Sequence, residues 1–341
     1  MGFEVAFALA GLGGFNAHGA GFLTAATESG VRPDLVTATS GQIIVLAEWL
    51  RGNDLKALLI APEEQGGLFG TMRIALQGMP GVFRPARMET IRRWFKLPSP
   101  TDSVLDVFAD RFLPAQQYVP LRSDEYLQAI VTLFNGSDIG IVFNAYSLRT
   151  GKAVLFGNNA ARKMWPEQSK LKDSSPGRDV HNSRENRESV LHKIDIESLK
   201  AALWLSLYGF ETLPNGLMDG AYHRACIISE LHKFANIFAV RPLANGWVGA
   251  EPGNWFEVQD WQAEMWFSNG YKAEVEGMKR INDLIADKKL TANDFAYVNL
   301  VEIEPKTPAG YFNYFNERAS VFDEARQLGL DALAAIKPAS A

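Results

Sequence analysis

Ser40 is the residue whose surroundings carry the most chemistry. It sits in Asp34-Leu35-Val36-Thr37-Ala38-Thr39-Ser40-Gly41-Gln42, where an apolar, β-branched run ends, and Ile43-Ile44-Val45-Leu46-Ala47-Glu48-Trp49-Leu50 follows with helical character. A serine squeezed into a sharp strand-to-helix turn projects its hydroxyl away from the sheet, at the positive end of the helix, which suits attack on a carbonyl. A serine at such a junction also serves as a plain helix cap. This stretch alone leaves both readings open.

A second stretch, Ala10-Gly11-Leu12-Gly13-Gly14-Phe15-Asn16-Ala17-His18-Gly19, lies between a first strand over Glu4–Leu9 and a helix from about Ala20 to Ser29. A glycine-rich loop in that position leaves backbone N–H groups aimed above the helix start. Such groups serve a phosphate or the oxyanion of an attacked acyl carbonyl, or the glycines merely permit a tight turn. A dinucleotide fold wants G-x-G-x-x-G and an acidic residue closing the second strand. Here Gly11-x-Gly13 is followed by Asn16, and the second strand runs into Ser40, so a nucleotide-binding α/β protein rests on the glycine loop alone.

The elements that must position these stretches alternate. Leu35–Ala38 reads as the second strand, followed by a helix to about Arg51. Residues 53–120 read as mostly helical, broken at Pro62, Gly66-Gly67, Pro80-Gly81, Pro98 and Pro114. Within them, the apolar run 68–76 suits a buried helix or a flap over an apolar substrate. Ser123 caps a helix to Phe134. Strands at Ile139–Tyr146 and Ala153–Phe156 flank the turn Arg149-Thr150-Gly151. Residues 163–193, rich in charge, Ser and Asn, have the composition of an exposed and partly disordered loop, with His181 and His192 solvated. A helix over Glu197–Tyr208, strands at Asn236–Val240 and Tyr297–Ile303, and helices over Asp260–Ala286 and Asn316–Ala335 complete the chain. Trp261, Met265 and Trp266 fit core packing. This alternation predicts an α/β fold, a three-layer α/β/α sandwich with a mostly parallel central sheet.

Composition narrows the function. The 341 residues are 47% hydrophobic and 21% charged, an ordinary globular mix, and length alone admits one large α/β domain or two. A net charge of -5 without a dense Lys/Arg block argues against a nucleic-acid partner. No apolar run approaches the roughly 20 residues that span a bilayer. The amino end has glycines where a signal peptide carries Lys or Arg, so a cytoplasmic location is expected. The single cysteine, Cys226, excludes an intramolecular disulfide framework and a Cys-rich metal site, and its apolar neighbours place it in the core.

Three segments in order resemble the patatin-like phospholipase family: residues 8–25 its glycine-rich oxyanion loop and helix, residues 34–42 its nucleophile elbow, and Asp219-Gly220-Ala221 its Asp-Gly-Gly/Ala motif. Phe143-Asn144-Ala145-Tyr146 with Thr150-Gly151, and Tyr311-Phe312-Asn313-Tyr314 with Gly329, are fainter echoes. The resemblance implies one patatin-like domain over 1–341, with a helical insertion over 53–120 and the loop over 163–193. It implies a Ser–Asp dyad, with Ser40 the nucleophile and Asp219 the base. Main-chain donors of Gly11, Leu12, Gly13 and Gly14 and the helix after Ser40 would hold the oxyanion. A carboxylate is a weak base, so Asp219 must be partly desolvated to take a serine proton. The usual Ser…Asp…His order also lets His223 or His232 be proposed as base, and a turn aspartate before glycine is the bland alternative for Asp219.

The implied activity is that of an esterase, lipase or phospholipase cleaving esters of apolar acyl chains, such as membrane lipids or a storage polyester. No cofactor, metal or nucleic acid is implied, and a transient contact with a membrane surface is. The chain departs from the family pattern in its elbow, Ala38-Thr39-Ser40-Gly41-Gln42, where Gln42 replaces a glycine and Gly41 is expected to relieve the crowding. Leu12 interrupts the loop glycines, and Phe15 and Asn16 stand where Arg and Gly belong. These departures support an alternative, a patatin-fold binding or scaffold protein with impaired catalysis.

Overall fold

The computed structural model describes residues 3–11, 16–59, 73, 76–79, 81–95, 97, 103–112, 114–165, 191–244, 246–247, 251–290, 296–304, 306 and 319–336. Strand β1 (Phe3–Leu9) is followed by α1 (Ala17–Glu28), β2 (Leu35–Ala38) and α2 (Gln42–Leu50). All four β2 residues are buried, as a strand covered on both faces requires. Along β1 the side chains alternate: Val5, Phe7 and Leu9 enter one core, Ala6 and Ala8 the other. The first core is covered by α1, α2, α6 (Asp124–Gly136), α8 (Ile196–Ala202) and α10 (Ala319–Leu333). The second lies under α7 (Asn159–Met164), the segment 226–231 and α9 (Trp255–Ala286). This is the expected three-layer α/β/α architecture.

The remaining strands of the main sheet are β5 (Gly140–Ser147), β6 (Lys152–Gly157), β7 (Leu191–Lys193), β8 (Leu217–Asp219), β9 (Phe234–Val240) and β10 (Asn299–Ile303). The described residues form an eight-stranded sheet of order β10-β9-β1-β2-β5-β6-β7, with β8 paired to β5. From β10 to β5 every pairing is parallel, while β6 and β8 run antiparallel to β5. β6 covers one edge of β5 from Val142 to Ser147. β2 therefore occupies the other edge, opposite Gly140–Phe143, and β8 continues along that edge opposite Ala145–Ser147. β8 begins where β2 ends.

Several elements differ from expectation. The 53–120 region holds α3 (Leu55–Leu59), α4 (Arg87–Trp94) and α5 (Val104–Phe112), and also an antiparallel ribbon of β3 (Phe83–Pro85) with β4 (Tyr118–Pro120). Arg93 pairs with Asp110 at 2.9 Å and Trp94 meets Phe112 edge-on, joining α4 to α5. Neither helix buries a residue. Most of the apolar run 68–76 and all of 166–190, with His181, lie outside the described residues, as does Tyr311-Phe312-Asn313-Tyr314. His192 is half-buried in β7 against Phe156 rather than solvated, and desolvation lowers its pKa. Trp261 and Trp266 are exposed, not core, because the buried stripe of α9 runs through Glu264, Phe267, Tyr271, Val275 and Met278. At 3.6 residues per turn both tryptophans fall off that stripe. The helix expected to reach Tyr208 stops at Ala202.

Asn158 pins the far side of the sheet. It is wholly buried; its Oδ1 accepts from the Ile141 and Ala161 amides at 3.0 and 2.9 Å, and its Nδ2 donates to the Phe134 and Ile139 carbonyls at 2.8 and 2.9 Å. Asn158→Ala leaves these buried main-chain groups without their partner and is expected to cost on the order of 3 kcal/mol by urea denaturation. A loss below about 1 kcal/mol would show that water replaces the side chain.

Candidate functional site

Ser40 occupies the turn between β2 and α2 with φ of +57°, a left-handed conformation that few non-glycine residues adopt. Neighbours hold it there. The Thr39 amide donates to the Leu9 carbonyl at 3.2 Å, and Thr39 Oγ1 donates to Asn144 Oδ1 at 3.0 Å. Gly11 closes the turn from above: a Cβ there would lie 1.9 Å from the Thr39 carbonyl oxygen. The helix-cap alternative does not hold. Gly41 is the N-cap of α2, with no side-chain cap bond, and the Ser40 hydroxyl donates to Asp219 Oδ2 at 2.5 Å. The two residues lie 179 positions apart in the chain.

Asp219 is the last residue of β8, opposite Ala145 of β5, while Ala38 is opposite Phe143. The Ser and Asp turns thus leave the same edge of one strand two residues apart. Asp219 Oδ1 accepts from the Ala221 amide at 2.8 Å, and the Asp219 amide donates to the Trp204 carbonyl at 3.0 Å. This second bond accounts for the early end of α8, since the chain must turn at Trp204 to meet β8. Asp219 is buried, and desolvation pushes its pKa up to about 7 against the opposing hydrogen bonds from Ser40 and Ala221.

Asn144 links the two turns. Besides receiving the Thr39 hydroxyl, it donates through Nδ2 to the Arg224 carbonyl at 2.9 Å, and a Cβ on Gly220 would lie 2.3 Å from its amide. Arg224 in turn forks onto Glu230 at 2.8 and 2.7 Å and reaches Glu274 of α9 at 2.9 Å. The sequence pointed to Asn144 only through the Phe-Asn-Ala-Tyr echo. His223 stacks on Tyr146, and His232 Nδ1 lies against the Ser229 carbonyl. Neither is bonded to Asp219, whose carboxylate is taken by Ser40 and Ala221.

The space for the Gln42 side chain is provided by Gly19 of α1. Gln42 is wholly buried, and a Cβ on Gly19 would lie 1.8 Å from its Oε1. Its amide packs 3.5 Å from His18 Nε2, which donates to the Ala10 carbonyl at 3.0 Å. That bond joins the two ends of the glycine loop.

The Gly11 amide donates to the Ala225 carbonyl at 2.8 Å, so Gly11 is not an oxyanion donor; its part is to let the loop approach the elbow. Leu12, Gly13 and Gly14 lie outside the described residues. Gly41 lines the cleft above Ser40, and its amide has no main-chain acceptor among the described residues. The sequence signal for Gly41 was its place directly after the elbow serine. The cleft walls are mostly apolar, with Met79, Val82, Phe83, Leu203 and Leu205, and carry Arg122 and Tyr208. Among the described residues no group of three His, Cys, Asp or Glu could hold a metal, and no helix is long and apolar enough to cross a membrane.

Gly19→Ala is expected to destabilise the fold by about 1–3 kcal/mol through overpacking. Gln42→Ala should relieve most of that loss, so a double-mutant cycle should give a coupling of at least about 1 kcal/mol. Additive losses would mean the two sites do not share space.

No family model matches the sequence, and no curated protein matches it. Among solved structures the chain is similar to VipD from Legionella pneumophila, at 11% identity and a TM-score of 0.36, over 98% of this chain and 67% of that one.

Proposed function

We propose that this chain is a patatin-like serine acyl hydrolase that cleaves carboxylic esters of apolar acyl chains. The observation that carries the reading is the 2.5 Å hydrogen bond from a left-handed elbow serine to a desolvated carboxylate. Ser40 Oγ attacks the acyl carbonyl carbon as Asp219 Oδ2 takes its proton. The oxyanion is held by the Gly41 amide and by amides of Leu12, Gly13 and Gly14, aided by the dipole of α2. The leaving alcohol takes the proton from Asp219, and an acyl-Ser40 ester remains. Water then attacks that ester, Asp219 again accepting a proton; the acyl–Oγ bond breaks, Ser40 Oγ takes the proton from Asp219, and the free acid leaves. Burial supports this role, since a carboxylate with pKa near 7 is a far stronger base than one at its ordinary value. The apolar cleft suits an acyl chain, and lipid esters would bring the protein into transient contact with a membrane surface. The scaffold alternative drew on Gln42, Phe15 and Asn16; of these, Gly19 makes room for the Gln42 side chain, and Ser40 keeps its left-handed conformation beside it.

Ser40→Ala should abolish both turnover of p-nitrophenyl butyrate and labelling by a fluorophosphonate probe. Labelling that persists would remove Ser40 from the mechanism. Asp219→Asn should lower kcat by roughly 10²–10⁴ while leaving the fold intact.

Activity should depend on pH through Asp219. kcat/KM is expected to rise with an apparent pKa of about 7 and level off above it. Stability should move the other way. The folded pKa lies above the ordinary value of 3.8, so the unfolded chain loses this proton first, and stability falls as pH rises from about 4 to about 7. Asp219→Asn should therefore raise Tm at pH 8 and change it little at pH 4. An equal shift at both pH values would contradict the raised pKa.

A further inference from the structure

One buried donor in the cleft, the Tyr208 hydroxyl, has no hydrogen-bond partner among the described residues, and a half-buried cation, Arg122, stands beside it. Arg122, between β4 and α6, lines the cleft beside Ser40, Asp219 and Tyr208. Among the described residues it forms no ion pair, and the titratable groups that act on it are the phenols of Tyr208 and Tyr126. Other inward-facing arginines are compensated: Arg224 by Glu230 and Glu274, Arg241 by Glu302 and Glu304. Asp219, on the same cleft, is committed to Ser40 and Ala221.

Tyr208 is 2% exposed, and its hydroxyl is buried without a hydrogen-bond partner. Desolvation raises the phenol pKa further above its ordinary value of 10.0, so the hydroxyl keeps its proton and remains a donor. A buried donor without an acceptor is costly to the fold, and a guanidinium beside it without a counter-charge leaves the cleft wall positive. Such groups are rare in folded proteins and call for a reason. Arg122 keeps its charge despite desolvation, because guanidinium does not titrate in the accessible range.

We propose that Arg122 and Tyr208 form an anion subsite of the cleft, so that the ester substrate carries a phosphate or carboxylate group close to its scissile bond. The guanidinium supplies a planar fork that matches two oxygens of either group. The phenol supplies a third hydrogen bond from the same wall. The dyad then cuts an acyl ester whose position is set by its charged end, while the apolar walls receive the chain. This assignment rests on the acyl-hydrolase reading of the same cleft.

The binding arm of the test needs no turnover. In the Ser40→Ala protein, inorganic phosphate titrated by calorimetry should bind. Arg122→Gln should abolish that binding, Tyr208→Phe should weaken it about fivefold to tenfold, and Arg122→Lys should retain part of it. The activity arm compares kcat/KM for a lysophosphatidic acid and for a dicarboxylic acid mono-p-nitrophenyl ester with that for neutral p-nitrophenyl butyrate. Arg122→Gln should lower the anionic-to-neutral ratio at least tenfold for one or both anionic esters, and whichever falls further identifies the source of the anion. Phosphate binding that survives Arg122→Gln, absence of phosphate binding in the parent, or a ratio unchanged by the substitution would overturn the subsite. Turnover that survives Ser40→Ala would instead overturn the acyl-hydrolase reading, leaving the phosphate titration to judge the subsite by itself.

Discussion

One edge of β5 governs the site. β2 pairs with its first half and β8 with its second, so the turn after Ala38 and the turn at Asp219 are delivered to the same place. Because β6 covers the opposite edge and helices cover both faces, that place is dry. A carboxylate put there loses its hydration, and desolvation outweighs the hydrogen bonds from Ser40 and Ala221. The same burial that suits Asp219 to the proposed role of base makes its ionisation costly to the fold, a trade commonly seen where a site must do chemistry.

Close packing around the elbow follows from that constraint. A left-handed serine persists only where its surroundings over-determine it. Here Gly11 presses on Thr39, Asn144 takes the Thr39 hydroxyl, and Gln42 fills the notch left by Gly19. The large side chain of Gln42 at the start of α2 is therefore matched by a small residue on another helix. His18 carries the packing onward to Ala10, so the base of the glycine loop and the start of α2 form one unit.

The cleft above this unit is uneven in polarity. Its walls are apolar on the side of Met79, Val82 and Phe83, while the other side holds the Arg122 cation and the Tyr208 phenol, whose hydroxyl has no acceptor among the described residues. Tyr208 reaches the cleft because α8 ends early and the chain turns at Trp204 to bond Asp219. The residue that raises the question of an anion is thus placed by the same turn that supports the dyad.

Local chemistry made much of this readable in advance. Apolar β-branched runs and glycine punctuation marked β1, β2, β5, β6 and β9 within a residue or two, and the strand-to-helix junction at Ser40 was visible as such. Asp219 was legible only through its motif, since nothing in a short Asp-Gly-Ala reveals which strand edge it joins. The exposure of Trp261 and Trp266, the partial burial of His192 and the β3–β4 ribbon depended on partners distant in sequence, which no local pattern encodes. The same holds for Gly19 against Gln42, for Asn144 as the link between the two turns, and for Arg122 beside Tyr208. The sequence by itself determined which elements form and which serine stands at a sharp turn, because those depend on neighbours along the chain. Only the tertiary structure decided that Ser40 meets Asp219, that the Gly11 amide bonds Ala225, and that the Tyr208 hydroxyl faces the cleft beside Arg122 without an acceptor among the described residues, because pairing along β5 and exclusion of water are properties of the assembled sheet.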